Sequence, residues 1–233
     1  MRWRARTIVE RQLRCQATRP QLKRDPLGGR ARPRSVIGMN DRLNAWRALE
    51  YHDPARVLRE LKVAAVQVEA EANRLGITLD PLSLRLRTTP LKKYREWRDA
   101  AIFTYGMGLA KGLKMGYATH EAEDYDFVTA WVLDEQSYFC PVQLKELPPA
   151  DLNPDARIGD VIESLRKYPS STESVLAVKL SREPELDLVS LRIPKAPFKE
   201  VYFFWQTTPA PENYILCGDL KEEPGAFEYS YPE

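Results

Sequence analysis

Glu123-Asp124-Tyr125-Asp126-Phe127-Val128-Thr129-Ala130-Trp131-Val132-Leu133 is followed by Asp134-Glu135-Gln136-Ser137 and then by Tyr138-Phe139-Cys140-Pro141-Val142-Gln143-Leu144-Lys145-Glu146-Leu147. Two apolar runs rich in aromatic and β-branched residues flank a short polar break, the pattern of a β-hairpin. The break predicts a four-residue loop, Asp134 to Ser137, with Leu133 paired to Tyr138. Counting outward from that pair sets Asp126 opposite Lys145. Side chains alternate along a strand, so Gln143 shares the Lys145 face while Val142 and Leu144 point the other way. Facing residues have Cβ atoms roughly 4.5–5.5 Å apart. A carboxylate, an amide oxygen and an ammonium thus converge at one end of a hairpin whose other face is apolar. Pro141 threatens this register, because a bulge there would slip it by one residue and turn Asp126 away from Lys145.

The chain of 233 residues is long enough for one substantial core. No apolar run approaches the roughly 18 residues of a membrane span, so no membrane is expected. Cys15, Cys140 and Cys217 are widely spaced and form no CxxC pair. That argues against a disulfide framework or a cysteine zinc site and points to a reducing, cytoplasmic setting. The N-terminus has arginines without an apolar segment behind them, unlike a secretory signal.

The net charge of +2 hides a split. Residues 1–40 hold 11 Lys/Arg against 2 Asp/Glu, a net of +9, which leaves a net of −7 for residues 41–233. The first 40 residues are rich in Arg, Gln and Pro and lack periodicity. They read as a disordered basic extension, or as an upstream extension of the reading frame with the start at Met39. A basic arm against nucleic acid is the functional alternative.

Residues 41–233 read as a single α/β domain, helical over 41–115, with a core over 91–180 and extra strands over 181–220. Asp53-Pro54 predicts a capped helix start, and Val57, Leu58, Leu61, Ala64, Ala65 and Val68 recur at helical spacing up to Leu75-Gly76. Leu82, Leu84 and Leu86 alternate in a connector, as a short strand would. A second helix runs from Leu91 towards Lys114, its apolar stripe drawn through Tyr94, Trp97, Ala101, Tyr105 and Leu109. Gly106, Gly108, Gly112 and Gly116 weaken its second half, and packing or fraying explains them better than a phosphate loop, since no apolar strand precedes them and no Gly-Lys-Ser/Thr ending follows. After the hairpin, Asn153-Pro154-Asp155 opens another helix (Ile158, Val161, Ile162, Leu165), stopped by Tyr168-Pro169. Ser174–Leu180, Glu200–Gln206 and Asn213–Cys217 predict strands, with a proline-rich excursion through Pro184, Pro194 and Pro197. The acidic tail after Leu220 reads as irregular. The order helix, helix, hairpin, helix and three strands is that of an α/β (α+β) domain with a mixed sheet.

A long helix, an acidic residue opening one strand, a (D/E/Q)-x-K tripeptide on the next, then a helix and further strands resembles the PD-(D/E)xK nuclease superfamily. Asp126 stands for the acidic residue and Gln143-Leu144-Lys145, 17 positions on, for the tripeptide. Glutamine in place of the first acid is found in some branches, including the Mrr-type restriction endonucleases. The resemblance covers about Leu91 to Leu180. It implies a restriction-endonuclease-like mixed β-sheet flanked by helices, here preceded by an N-terminal helical segment. It also implies an acid on the preceding helix, for which Glu96 is the candidate.

The chemistry fits those residue types. Phosphodiester cleavage needs charge neutralised on the phosphate and a water activated, both of which Mg²⁺ (or Mn²⁺) supplies. Asp126, Gln143 and Glu96 would be metal ligands, and Lys145 would orient the water or stabilise developing charge. Glutamine carries one negative charge fewer than glutamate, so metal binding should be weaker unless Glu96, Glu121, Glu123 or Asp124 compensates. Lys92, Lys93 and Arg95, with Arg98, Lys111 and Lys114, lie on or near the helix beside the site and could contact DNA phosphates. A homodimer is left open. The bland alternative is a cross-strand ion pair worth roughly 0.2–1 kcal/mol in a non-catalytic interaction module, which the net of −7 favours. His52 and His120 are too few for a zinc motif or a Ser-His-Asp triad, and His120 reads as a surface histidine. Tyr202-Phe203-Phe204-Trp205 reads as a buried strand, not a base-stacking platform.

Overall fold

A computed structural model of the chain describes residues 39–165, 173–182, 193, 197–209, 212–221 and 224–233. The basic extension up to residue 38, Tyr168-Pro169, Pro184 and Pro194 lie outside the described residues. The described chain is mixed α/β: helices α1 (Met39–Arg47), α2 (Pro54–Leu75), α3 (Pro81–Leu84), α4 (Lys92–Lys111) and α5 (Ile158–Ser164) surround one seven-stranded sheet. Its strands are β1 (Met115–Ala118), β2 (Phe127–Leu133), β3 (Gln136–Leu147), β4 (Val175–Leu180), β5 (Val201–Pro209), β6 (Glu212–Gly218) and β7 (Gly225–Ser230). They lie in chain order, parallel for β3–β4 and β4–β5 and antiparallel elsewhere. Helix α5 is the crossover that the parallel β3–β4 pair requires.

The two faces of the sheet are covered differently. On one, Phe103 of α4 meets Phe127, Tyr202 and Phe204 at ring-centroid distances of 6.3, 6.0 and 5.8 Å, with Leu58 of α2 in the same cluster. On the other are two separate apolar clusters. Trp46 of α1 gathers Tyr125, Val128 and Phe139, while α5 covers Leu147, Leu176, Val178, Leu180, Val201 and Phe203. Along β3 the second face reads Phe139, Pro141, Gln143, Lys145, Leu147. Gln143 and Lys145 therefore fall between the two clusters.

Several sequence expectations change. The hairpin turn holds two residues, not four: Leu133 pairs with Gln136, and Asp134 and Glu135 both take positive φ (49° and 62°). The paired register ends at Phe127–Val142, Asp126 N donating to Val142 O at 2.9 Å, and the Asp126 carboxylate meets the Gln143 amide instead of Lys145. A shift of two residues preserves the alternation, so Asp126, Gln143 and Lys145 still share a face. Pro141 pairs with Val128 without any register break. Alternation from the hydrogen-bonded closing pair puts that position among the non-hydrogen-bonded ones, and the β3–β4 ladder begins only at Val142, so the missing N–H costs nothing.

Leu82 and Leu84 belong to a short helix, not a strand. Asn153 receives Ala156 N at 3.1 Å in a turn, and α5 starts five residues later, at Ile158. The tail after Leu220 contains β7, whose Tyr229 is buried and donates its hydroxyl to Ile102 O at 3.1 Å. Helix α4 is buried nearly all round from Asp99 to Gly108, whereas Tyr94 and Leu109 of the predicted stripe are exposed. In α2 only the first half of the stripe (Val57, Leu58, Leu61) turns inward, and Ala64, Ala65 and Val68 are exposed.

Candidate functional site

Asp126 sits where β2 loses contact with β3. The loop before it is pinned from α1: Trp46 Nε1 donates to Tyr125 Oη at 3.0 Å, Arg42 holds Asp124 at 2.8 Å, and Tyr125 Oη meets His120 Nδ1 at 2.9 Å. The Tyr125 carbonyl turns back to accept from Ala122 N at 2.9 Å. It is thereby withdrawn from the ladder, and the Asp126 carboxylate takes its place, accepting from Leu144 N at 2.6 Å. The same oxygen accepts a hydrogen bond from Gln143 Nε2. Gln143 itself is buried.

Burial raises the pKa of Asp126 above the ordinary carboxyl range. The Leu144 N–H and the Lys145 ammonium oppose that rise, while Glu96 and Glu121 add to it. Lys145, Glu96 and Glu121 are therefore all within electrostatic reach of this carboxylate. Glu96 is half-exposed on α4 and lies 3.5 Å from Lys92. Glu121 and Glu123 are exposed, and Asp124 is committed to Arg42.

The donor set can be compared with what a hard divalent cation requires. Among the described residues, no three His, Cys, Asp or Glu side chains gather as a metal site. Mg²⁺ keeps several waters and needs only one or two carboxylates. Asp126, with Glu96 nearby, meets that requirement, and a carboxylate crowded by burial and two other acids gains from a cation. Gln143 presents its amide nitrogen to Asp126, so its oxygen would become a ligand only after a half-turn of the amide.

The proposed phosphate contacts divide. Lys92 and Lys93 are exposed at the start of α4, Lys93 lying 5.0 Å from the Trp97 ring centroid. Arg95 is turned inward, 15% exposed, with Nε 3.8 Å from Glu146. It is thus removed from the solvent face. Lys111 ends α4 and Lys114 follows it, roughly 24 Å or more along the axis from the first turn at 1.5 Å per residue, away from Asp126.

Sequence reading missed the polar network on the other face of β3. Glu146 accepts from Arg87 through both oxygens, at 2.9 and 2.5 Å, and from Ser181 Oγ at 2.5 Å. Burial alone would raise its pKa, but Arg87, Ser181 and Lys179 together hold the carboxyl below its ordinary value. Beside it, Lys179 Nζ donates to the buried Asp99 at 2.6 Å. Strand alternation does separate Leu144 and Glu146 from Gln143 and Lys145, but Arg87 is 59 residues from Glu146, too far for any local signal.

No protein-family model, curated protein or solved structure matches this chain. No described helix is long and apolar enough to cross a membrane.

Proposed function

We propose that the protein is a metal-dependent nuclease of the PD-(D/E)xK kind acting on DNA in the cytoplasm. The observation that supports it best is the hydrogen bond from the Gln143 amide of β3 to the carboxylate of Asp126, the residue just before β2. Lys145 is two residues further along the same face, and Glu96 is within electrostatic reach. The run α4, β1, β2, β3, α5, β4, with β4 parallel to β3, is consistent with the order of helix, strands, helix and strand on which the resemblance rests.

In this reading Asp126 and Glu96 hold Mg²⁺ or Mn²⁺, with Gln143 joining them through its amide oxygen. The ion, when bound, neutralises phosphate charge and acidifies a water. Lys145 orients that water and stabilises the negative charge that develops on the phosphate oxygens. Lys92 and Lys93, about one turn from Glu96 on α4, contact the DNA backbone.

The second reading is a non-catalytic interaction module, favoured by a specific contact: the Asp126 carboxylate completes the β3 hydrogen bonding at Leu144, a structural task independent of metal. The separating experiment is cleavage of plasmid and single-stranded DNA with Mg²⁺ or Mn²⁺ by wild type, Asp126→Ala and Lys145→Ala, each checked for folding by circular dichroism. Metal-dependent cutting lost in both folded variants supports the nuclease. No cutting by any form leaves the interaction module.

A further inference from the structure

Helix α2 is longer than the surface it covers. Leu58 and Ala72 are buried and Leu61 half-buried, yet every residue from Lys62 to Glu71 is exposed. At 100° per residue, Val63, Val66 and Ala70 fall on one line, with Arg59 at its N-terminal end, turned roughly 150° from that of Leu58, Leu61 and Ala72. Val63 and Val66 are 56% and 60% exposed and stand at the spacing of a helix-pairing seam.

Charges border the seam in a pattern with its own symmetry. Lys62 and Glu69 run along one side, and Glu60 and Arg74 along the other. We infer that a second copy of this chain docks here, its α2 antiparallel to the first, about a two-fold axis near Val66 and Gln67. That arrangement sets Lys62 against Glu69 of the second copy and Glu60 against Arg74 of the second copy. Symmetry repeats each pair, giving four attractive contacts around Val63, Val66 and Ala70, while Arg59, on the same line, faces Arg74 of the second copy and offsets part of the Glu60 attraction. A parallel pairing would bring together only Glu69 and Arg74 with opposite charge, so the antiparallel form is the one this sequence favours.

Within one chain, Arg56 holds Glu60 at 2.7 Å and Arg74 holds Glu71 at 2.5 Å, while Lys62 Nζ lies 5.8 Å from the Tyr231 ring centroid. The paired side chains are more than half exposed, and such surface pairs exchange partners at little cost.

The test is sedimentation velocity of the full chain over a range of concentrations, with Lys62→Glu, Glu69→Lys, both together, and Val66→Lys. All three positions are exposed, and circular dichroism checks that each variant folds. Wild type should sediment as a reversible dimer. Each single charge reversal should weaken it by about tenfold, because two attractive rim contacts become repulsive. The double reversal should regain wild-type association, and Val66→Lys should be monomeric. Mixing the two single variants should yield a heterodimer tighter than either homodimer, since both contacts are then attractive. A wild type that stays monomeric to its solubility limit would overturn the inference. So would a dimer indifferent to both reversals, or a double variant no better than the singles.

Discussion

Asp99→Ala tests how α4 is joined to the sheet. Asp99 is 3% exposed and Lys179 9%, and their charged atoms are 2.6 Å apart across the helix–sheet boundary. Burial lowers the pKa of Lys179 below the ordinary lysine range, Arg98 acts in the same sense, and Asp99 is the first of the groups that oppose it. Truncating Asp99 leaves a buried ammonium with Glu146 as its remaining acidic support. Breaking one side of a buried pair costs about 3–5 kcal/mol. For a domain near 200 residues that is roughly 6–20 °C in melting temperature. The cost depends on pH with a definite sign. A lysine whose folded pKa lies below its unfolded one penalises the folded state while protonated, and stability recovers as pH rises from the folded value towards the unfolded one. Asp99→Ala lowers the folded value further, so its deficit should be largest near pH 6 and shrink towards pH 9–10. Urea unfolding followed by circular dichroism at both ends measures this. Asp99→Leu with Lys179→Met, which removes both charges and keeps volume, should be much less damaging than Asp99→Ala. A deficit under about 1 kcal/mol at pH 6 that does not vary with pH would refute the reasoning.

Three further outcomes are expected. A Cβ on Gly106 would lie 2.5–2.8 Å from the Tyr229 ring, so Gly106→Ala should lose about 1–2 kcal/mol despite better helix propensity; thermal melts should show a smaller loss in a Tyr229→Ala background. Arg87→Ala should cost about 2–3 kcal/mol near neutral pH, from a salt bridge whose side chains are 10% and 19% exposed. Because the Glu146 pKa is lowered on folding, that stability is present above the ordinary glutamate pKa and is lost as pH falls through the folded value, so the gap to wild type should close in acid unfolding curves. Gln143→Glu sets a second carboxylate against Asp126 and should lower the melting temperature without metal, more at pH 8 than at pH 5. Millimolar Mg²⁺ should restore the loss if the site takes a cation, and calorimetry should detect the binding directly.

The parts of the fold legible in the sequence are those with local causes. Asp53 caps α2 by accepting from Ala55 N and Arg56 N, and Gly76 ends it in left-handed conformation. Gly112 ends α4 the same way, short of the expected Lys114 and with open space where a packing neighbour would stand. The apolar run from Tyr202 to Trp205 lies in the first half of β5, the part paired with β4, and is largely buried, as its composition suggests. Strand β7 carries a weak local signal: Phe227 and Tyr229 alternate with polar residues, but over too few positions to outweigh the acidic context. Helix α2 shows the limit of periodicity, since an apolar stripe does not reveal whether anything covers it. In the candidate site, the pairing of Asp126 with the tripeptide could be read from alternation, while the pairing partner could not. Arg95 was misplaced because a run of basic residues at the start of a helix does not tell which of them faces Glu146.

The hairpin turn has the same origin, and it fixes the candidate site. Two-residue turns with positive φ at both positions are signalled by Asn-Gly or Asp-Gly, and this chain has Asp134-Glu135. Asparagine and aspartate tolerate the left-handed region through local hydrogen bonds, whereas other non-glycine residues pay roughly 1–2 kcal/mol there. Glu135→Gly relieves that strain and gives back part of it as extra unfolded-state entropy, for a net gain of about 0.5–1 kcal/mol. Glu135→Val, β-branched and strained at φ 62°, should lose about 1–2 kcal/mol at an exposed site where a side-chain change would otherwise be neutral. Urea midpoints of the two variants decide between two geometries. Counting back from Leu133–Gln136 brings the Asp126 carboxylate against the Gln143 amide, while counting from Leu133–Tyr138 brings it against the Lys145 ammonium. A glycine that destabilises, together with a valine that is tolerated, would mean a longer loop, and Asp126 would then be one half of a cross-strand ion pair.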